Sequence, residues 1–337
     1  TFLVLGGLLV ALLIWGQSQS LQLENQQRAQ QLHQDSLLQH QARQQLQAQL
    51  MIDLLAEVRA RLAENQGQSL PEPVIDRLAR TSAAFEPYPS PDTLSSPSLS
   101  PERGLLLRTL LSMEMDSAVL GQITQRVTFA HADLREVDLE GLDLSGADLR
   151  SASFQNARLK GFVCRDCDLR RADFTAAQAA GMDLSDSDLR RAIFHGTEAR
   201  GARLFHTYLD GADLSRAVLE QADLSESIFQ WGQMGGANLA GATARRTDFM
   251  KTGMVRVNFA GADLRGACLR RTDLNQANFL NVRLDDVSVN ESDWLDLLAD
   301  WAVSGATAVQ QAYRVVHDTV GRFQNSQFVL APRQYTP

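Results

Sequence analysis

Between Phe129 and Val289 one series of large side chains returns at every fifth residue, and that period excludes most ways a chain can fold. The series has 33 positions, of which 18 are Leu and 8 are Phe, and no insertion breaks its phase. Two residues ahead of each position runs a second series of smaller side chains, 16 of them Ala, as at Ala132, Ala147, Ala152 and Ala157. A five-residue period fits neither the face of a helix nor the alternation of a plain strand. The two-residue offset between the small and large positions, however, puts both side chains on one side of an extended backbone. The two remaining residues, rich in Ser, Arg, Gly and Gln, are free to turn the chain. A short extended piece followed by a turn, repeated without interruption, winds into a solenoid.

The residue before each Leu or Phe is often Asp or Asn, as in Ala147-Asp148-Leu149 and Ala262-Asp263-Leu264. This tandem Ala-Asp/Asn-Leu-x-x text, over about half the chain, resembles the pentapeptide-repeat proteins. The resemblance implies a right-handed, four-sided β-solenoid with four pentapeptides per coil. About eight coils follow, and at roughly 4.8 Å of strand spacing per coil the rod is about 40 Å long. Positions twenty apart should then stack. Phe154, Phe174 and Phe194 form one column, Phe229 with Phe249 a second, and Phe259 with Phe279 a third. Ala179, Ala199 and Ala244 thin the core unless neighbouring rings fill it. Gly141, Gly161, Gly181, Gly201, Gly241 and Gly261 share one corner, where a turn that needs positive φ explains them.

The flanks read differently. Thr1 to Trp15 is apolar and uncharged, and residues 1–16 are expected to be a membrane helix, shortened from the usual span of about 20 residues, with the apolar region of a cleaved secretory signal as the alternative. Residues 17–66 suggest a Gln-rich helical stalk, in which Ala48, Met51, Leu55, Val58 and Leu62 keep coiled-coil spacing over about two heptads. Residues 67–101 hold seven of the nine prolines and read as a linker with a short helix over 74–85. Residues 102–126 are expected to be a helix capping the solenoid, started by Ser100 as cap and Pro101 at the first helical position. The solenoid occupies 127–290. Residues 291–337 should form a helical cap and tail, with Trp294 and Trp301 over the last coil, a second helix over 306–320 and a short strand at Phe328, Val329 and Leu330. The order of apolar segment, helix, Leu50 to Leu55, Leu78 to Thr81 and Glu102 to Arg108 is similar to bacterial membrane-anchored pentapeptide-repeat proteins. That resemblance implies an inner-membrane anchor with a cytoplasmic rod.

One outward face departs from the consensus. Arg150, Arg170, Arg171, Arg190, Arg191, Lys251, Arg270 and Arg271 fall on it, and Asp148, Asp168, Asp188 and Asp248 share it. This is either a ladder of solvated ion pairs or a basic stripe for an anionic partner. The acidic DNA-mimic role of some family members is disfavoured, because residues 127–289 carry 20 Arg and Lys against 23 Asp and Glu, although the whole chain is at −8. Cys164 and Cys167 have C-x-x-C spacing but fall at inward positions and read as core hydrophobes, and no second pair makes a metal site. The six His lack ligand spacing, no nucleophile is paired with a base, and no cofactor is implied. The expected function is a non-enzymatic, membrane-anchored scaffold that docks an unidentified protein, with self-association through the stalk or the C-terminal cap. The alternative is a nucleic-acid-related protein, binding through the Arg stripe or mimicking DNA toward a topoisomerase.

Overall fold

In the computed structural model the described residues are 28, 30, 31, 45–88, 98–318 and 328–333. The chain divides into two units, Thr1–Leu54 and Leu55–Pro337. In the first, the described residues are helical. The second contains the rod.

Parallel bridges join residues twenty apart along the rod, from Thr128 with Asp148 to Cys268 with Ser288. The bonding follows from the repeat. Up to the last coil, the N–H of a large residue donates to a carbonyl of the next coil, as Phe154 does to Asp173 and Phe174 to Ile193, both at 2.7 Å. The preceding residue donates backward, as Ser153 does to Ala132 at 3.0 Å. The remaining two residues form a tight turn closed by bonds such as Ala157 N–H to Phe154 O, 3.0 Å. Its second residue has positive φ, 65–69° at Gly161, Gly181 and Gly261, as a type II turn requires. Non-glycine residues hold the same conformation, among them Arg171 at 60° and Trp231 at 60°. The motif Asp also has a local task. Its Oδ1 accepts the N–H two residues on, at 2.9 Å for Ser145 on Asp143, Thr175 on Asp173 and Ser215 on Asp213.

The large and small series fill the interior. Phe154, Phe174 and Phe194 stack face to face with centroids 4.8 and 4.7 Å apart. Phe229, Phe249, Phe259 and Phe279 instead meet edge to face at 5.8–6.4 Å, because Phe249 and Phe259 reach inward from opposite walls of one coil. Phe162 and Met182, large residues in the small series, are fully buried, and Met182 directly follows the thin level at Ala179. Buried hydroxyls in the small series are satisfied across coils. Ser187, Thr197 and Thr247 each donate to a carbonyl 23 residues earlier at 2.8 Å. Cys164 and Cys167 are buried as expected but are not independent core groups: a disulfide joins them, with Cα atoms 5.6 Å apart. The tight turn between two inward positions brings them together.

Helix α1 (Glu72–Ala84) buries Val74, Ile75 and Leu78. Helix α2 (Pro101–Leu111) starts on Ser100, whose hydroxyl accepts the Arg103 N–H at 3.3 Å. The single helix expected over 102–126 is two. The first ends at Leu111, and Asp116, whose N–H is tied to Gly67 O at 3.0 Å, precedes α3 (Ser117–Arg126). Ser100 N–H donates to His131 O at 2.7 Å, and a Cβ on Gly104 would lie 2.2 Å from Asp133 O, so this flank sits directly on the first coil. The ends of the expected linker are also tied down. Tyr88 and Leu99 exchange backbone bonds, and Ser100 bridges Ala132; residues 89–97 lie outside the described residues.

At the other end β1 (Ser288–Val289), α4 (Trp294–Asp300), α5 (Ala306–Ala312), β2 (Tyr313–His317) and β3 (Phe328–Pro332) follow in order. The strands form an antiparallel sheet ordered β1-β3-β2. The helix expected over 306–320 stops at Ala312 because Tyr313, Val315 and Val316 favour an extended chain and pair with β3. Phe279 N–H donates to Ser304 O and Gln276 N–H to Trp301 O, at 2.8 and 2.7 Å, which satisfies open bonds of the last coil. Trp294 is buried and meets Trp301 edge to face.

The membrane expectation is corrected. No helix among the described residues is long and apolar enough to cross a membrane, so the structure gives no support to an inner-membrane anchor with a cytoplasmic rod. The run Thr1 to Trp15 that suggested it lies outside the described residues, as does most of the Gln-rich stretch. Of the coiled-coil positions, Leu55, Val58 and Leu62 are buried within the second unit, so that part of the apolar seam is occupied by the chain's own packing.

Candidate interaction face

The twenty-residue stacking sorts the Arg residues into two neighbouring columns with different surroundings. In the first, Arg150, Arg170 and Arg190 each fold back on the Asp two residues before. Nε of each donates to the Oδ1 of Asp148, Asp168 and Asp188 at 2.7–2.8 Å, and Nη2 donates to the other oxygen. Arg150 and Arg170 also reach the Asp of the following coil at 3.5 and 3.6 Å. The column is a continuous Asp–Arg ladder, formed because the motif places Asp and Arg two apart in each coil.

The locking shifts the charges of the ladder. Burial by itself raises the Asp148 and Asp188 carboxyls, yet hydrogen bonds from Arg150 and Arg190 hold both below the usual carboxylate range. The hydrogen bonds that Arg150 donates to Asp148 raise Arg150, and those that Arg170 donates to Asp168 raise Arg170. On another wall the Asp263 carboxyl is likewise lowered, by Arg265 and Arg245, against the effect of burial. These carboxylates close turns and hold guanidinium groups.

The second column runs along the turn corner one residue further on: Ser151, Arg171, Arg191, Gly211, Trp231, Lys251 and Arg271. Arg171 and Arg191 are exposed and make no side-chain ion pair among the described residues. With Arg103 and His131 they line an open cleft of about 820 Å³ beside the first coils. Arg103 is itself buried and serves the flank, donating to Ser82 O, Ala130 O and Ala83 O at 2.9, 2.6 and 3.5 Å.

The face is not one stripe. Between Arg191 and Lys251 it carries Tyr208, Asp210, Gly211, Ile228 and Trp231. Tyr208 and Trp231 are 44% and 61% exposed, and the Lys251 ammonium sits 3.6 Å from the Trp231 ring centroid. Burial raises the Asp210 carboxyl. Arg270 is half-buried and Arg271 is exposed in the next coil. Sequence reasoning found every cation on this face but passed over Trp231 and Tyr208. Their signal was available: both stand outside the inward series, Trp231 at a turn corner held in the other coils by His, Ser, Arg, Gly or Lys, and Tyr208 at the extended position that holds Asp148, Asp168 and Asp188 in the coils before it.

This architecture is a right-handed β-helix wound from five-residue units. The family model for pentapeptide repeats matches in 8 copies, over residues 125–162, 167–204, 202–241, 233–271 and 254–290, and across 125–290 the chain is a pentapeptide-repeat protein. Among solved structures it is similar to HetL, a pentapeptide repeat protein involved in heterocyst differentiation regulation in the cyanobacterium Nostoc, with 25% identity over 48% of this chain and 91% of HetL, TM-score 0.30. It is similar also to a pentapeptide repeat protein of the Arabidopsis thaliana thylakoid lumen, at 30% identity over 40% and 74% of the two chains, TM-score 0.24. A third is QnrB1, a plasmid-mediated fluoroquinolone resistance protein, at 23% identity over 49% and 85%, TM-score 0.29. No curated protein matches the chain.

Proposed function

We propose that this protein is a docking rod without catalytic activity, which presents the face from Arg150 to Arg271 to a protein partner. The flanking helices and the C-terminal sheet serve as caps that keep the end coils from pairing with other edges. The observation that carries the reading is the pair Arg171 and Arg191, exposed on a rigid backbone beside a cleft and left without ion pairs among the described residues. A repeat rod fixes the spacing of such groups, so a partner that matches it loses little entropy in ordering the surface it meets.

A nucleic-acid partner fits less well. The Nε–Nη2 edges of Arg150, Arg170 and Arg190 are engaged by Asp148, Asp168 and Asp188, so those carboxylates stand where a phosphate backbone would lie. The test pairs two assays on the intact chain. A saturable complex with a purified partner protein, weakened by combined Arg170→Glu, Arg171→Glu, Arg190→Glu and Arg191→Glu, supports protein docking. A salt-sensitive gel shift with duplex DNA that the same substitutions abolish would replace it with the nucleic-acid reading.

A further inference from the structure

We propose that the turn corner Arg171–Arg191–Gly211–Trp231–Lys251 is a two-part binding edge for an acidic protein segment that carries an aromatic or large aliphatic side chain. This rests on the protein-docking reading above and narrows it to one column, one chemistry and one seat.

Four features of the edge point the same way. First, Arg171 and Arg191 stand one coil apart and are the exposed cations left over beside the Asp–Arg ladder, so the first coils offer two positive groups and no long basic track. Two carboxylates of a protein segment match that charge, whereas two cations bordered by Asp148, Asp168, Asp188 and Asp210 give no continuous track for a long polyphosphate chain. Second, Gly211 leaves a notch in the corner. A Cβ there would have the Arg191 Cγ as its nearest neighbour at 3.6 Å, so the Arg191 stem forms one wall, and Trp231 follows on the next coil.

Third, Trp231 is 61% exposed, and Tyr208 lies on the same face. Exposed Trp, Tyr and Arg together are the side chains that dominate protein interfaces. The Lys251 ammonium, 3.6 Å from the Trp231 ring centroid, holds the indole in place and adds a third cation at the far end. Fourth, Trp231 has φ 60°. A bulky residue in the left-handed region is uncommon and strained. The next residue shows that packing does not demand Trp here: Gly232 is the position the interior constrains, since a Cβ on it would fall 2.5 Å from the Phe229 ring. The indole is thus demanded neither by the turn, which Arg171, Arg191 and Lys251 also make, nor by the interior, and it is available for contact.

The experiment selects a random peptide display library on the immobilised full-length chain, then measures labelled winners by fluorescence anisotropy. The expected winners combine at least two Asp or Glu with one aromatic or large aliphatic residue. Trp231→Gly and the pair Arg171→Glu with Arg191→Glu should each weaken them by about tenfold or more. Glycine suits the left-handed corner, so the Trp231→Gly chain should melt no lower than the parent, which separates lost binding from lost folding. Acidic winners that bind both variants as well as the parent overturn the edge and leave protein docking standing. Winners without acidic residues, or no winners together with corner-dependent binding of oligothymidylate, overturn the edge, and the latter overturns protein docking as well.

Discussion

The inward column Phe154, Phe174 and Phe194 and the outward corner Arg171, Arg191, Trp231 and Lys251 obey the same twenty-residue period, yet the period does different things in each. Inside, repetition produces stability: each ring covers the next, and all three are buried. Outside, repetition only fixes spacing, because a corner residue touches solvent and its backbone sits in a conformation that favours glycine. Between them lies the ladder of Arg150, Arg170 and Arg190 on Asp148, Asp168 and Asp188, which is surface by exposure but structural by bonding. Conserving a repeat is therefore a statement about folding at inward positions, and leaves the corners open to function.

Substitutions should separate these layers by size of effect. Phe174→Ala removes the middle ring of the stack and should cost about 3–5 kcal/mol in urea unfolding, since the coil backbone cannot collapse into the space. A loss below about 1 kcal/mol would mean that the column is not the centre of the core. Removing the Cys164–Cys167 link by a double substitution to Ser should cost about 2 kcal/mol, the scale for closing so short a loop. Equal stability of the parent with and without reductant, under conditions where free-thiol titration shows both sulfurs released, would contradict it.

The carboxylates that hold guanidinium groups, in the ladder and on the wall of Asp183 and Asp263, should reveal themselves in acid. Asp148, Asp183, Asp188 and Asp263 have folded values below the ordinary carboxylate value, so their contribution is complete above about pH 3.9 and is lost as pH falls through the lower folded values. Melting temperature should therefore hold steady from neutral pH to about 4.5 and decline below about 3.9. A decline that begins near neutral pH would place the stability elsewhere. Smallest of all, Arg171→Gly and Arg191→Gly should leave thermal melting unchanged or slightly raised, because they remove no ion pair and relieve a left-handed backbone.

Much of this was legible in the sequence and some was not, for physical reasons. The inward series could be read because burial acts on every coil alike, and the glycine corner could be read because one turn type demands positive φ at one position. The Cys164–Cys167 link escaped because each Cys fits its inward position as a hydrophobe, and only the turn geometry brings them together. The strand Tyr313–His317 escaped because its partner lies beyond it in the chain, and local periodicity reports nothing about pairing across that distance. On the candidate face, the cations were visible as departures from consensus. Their division into engaged and free was not, since it depends on whether an Asp stands two residues before, on the same wall, or the side chain starts from the corner. Trp231 was hidden by the same rule that made the core readable, which treats an aromatic residue as interior.

The most direct measurement is a paired one on a corner-stripped chain carrying Arg171→Gly, Arg191→Gly, Trp231→Gly and Lys251→Gly, with melting temperature read beside affinity for an acidic–aromatic peptide selected on the parent. A cooperative melt no lower than that of the parent, together with loss of peptide binding by about tenfold or more, is the expected result. A marked fall in melting temperature, or an affinity equal to the parent's, would contradict the separation of a corner that binds from a core that folds.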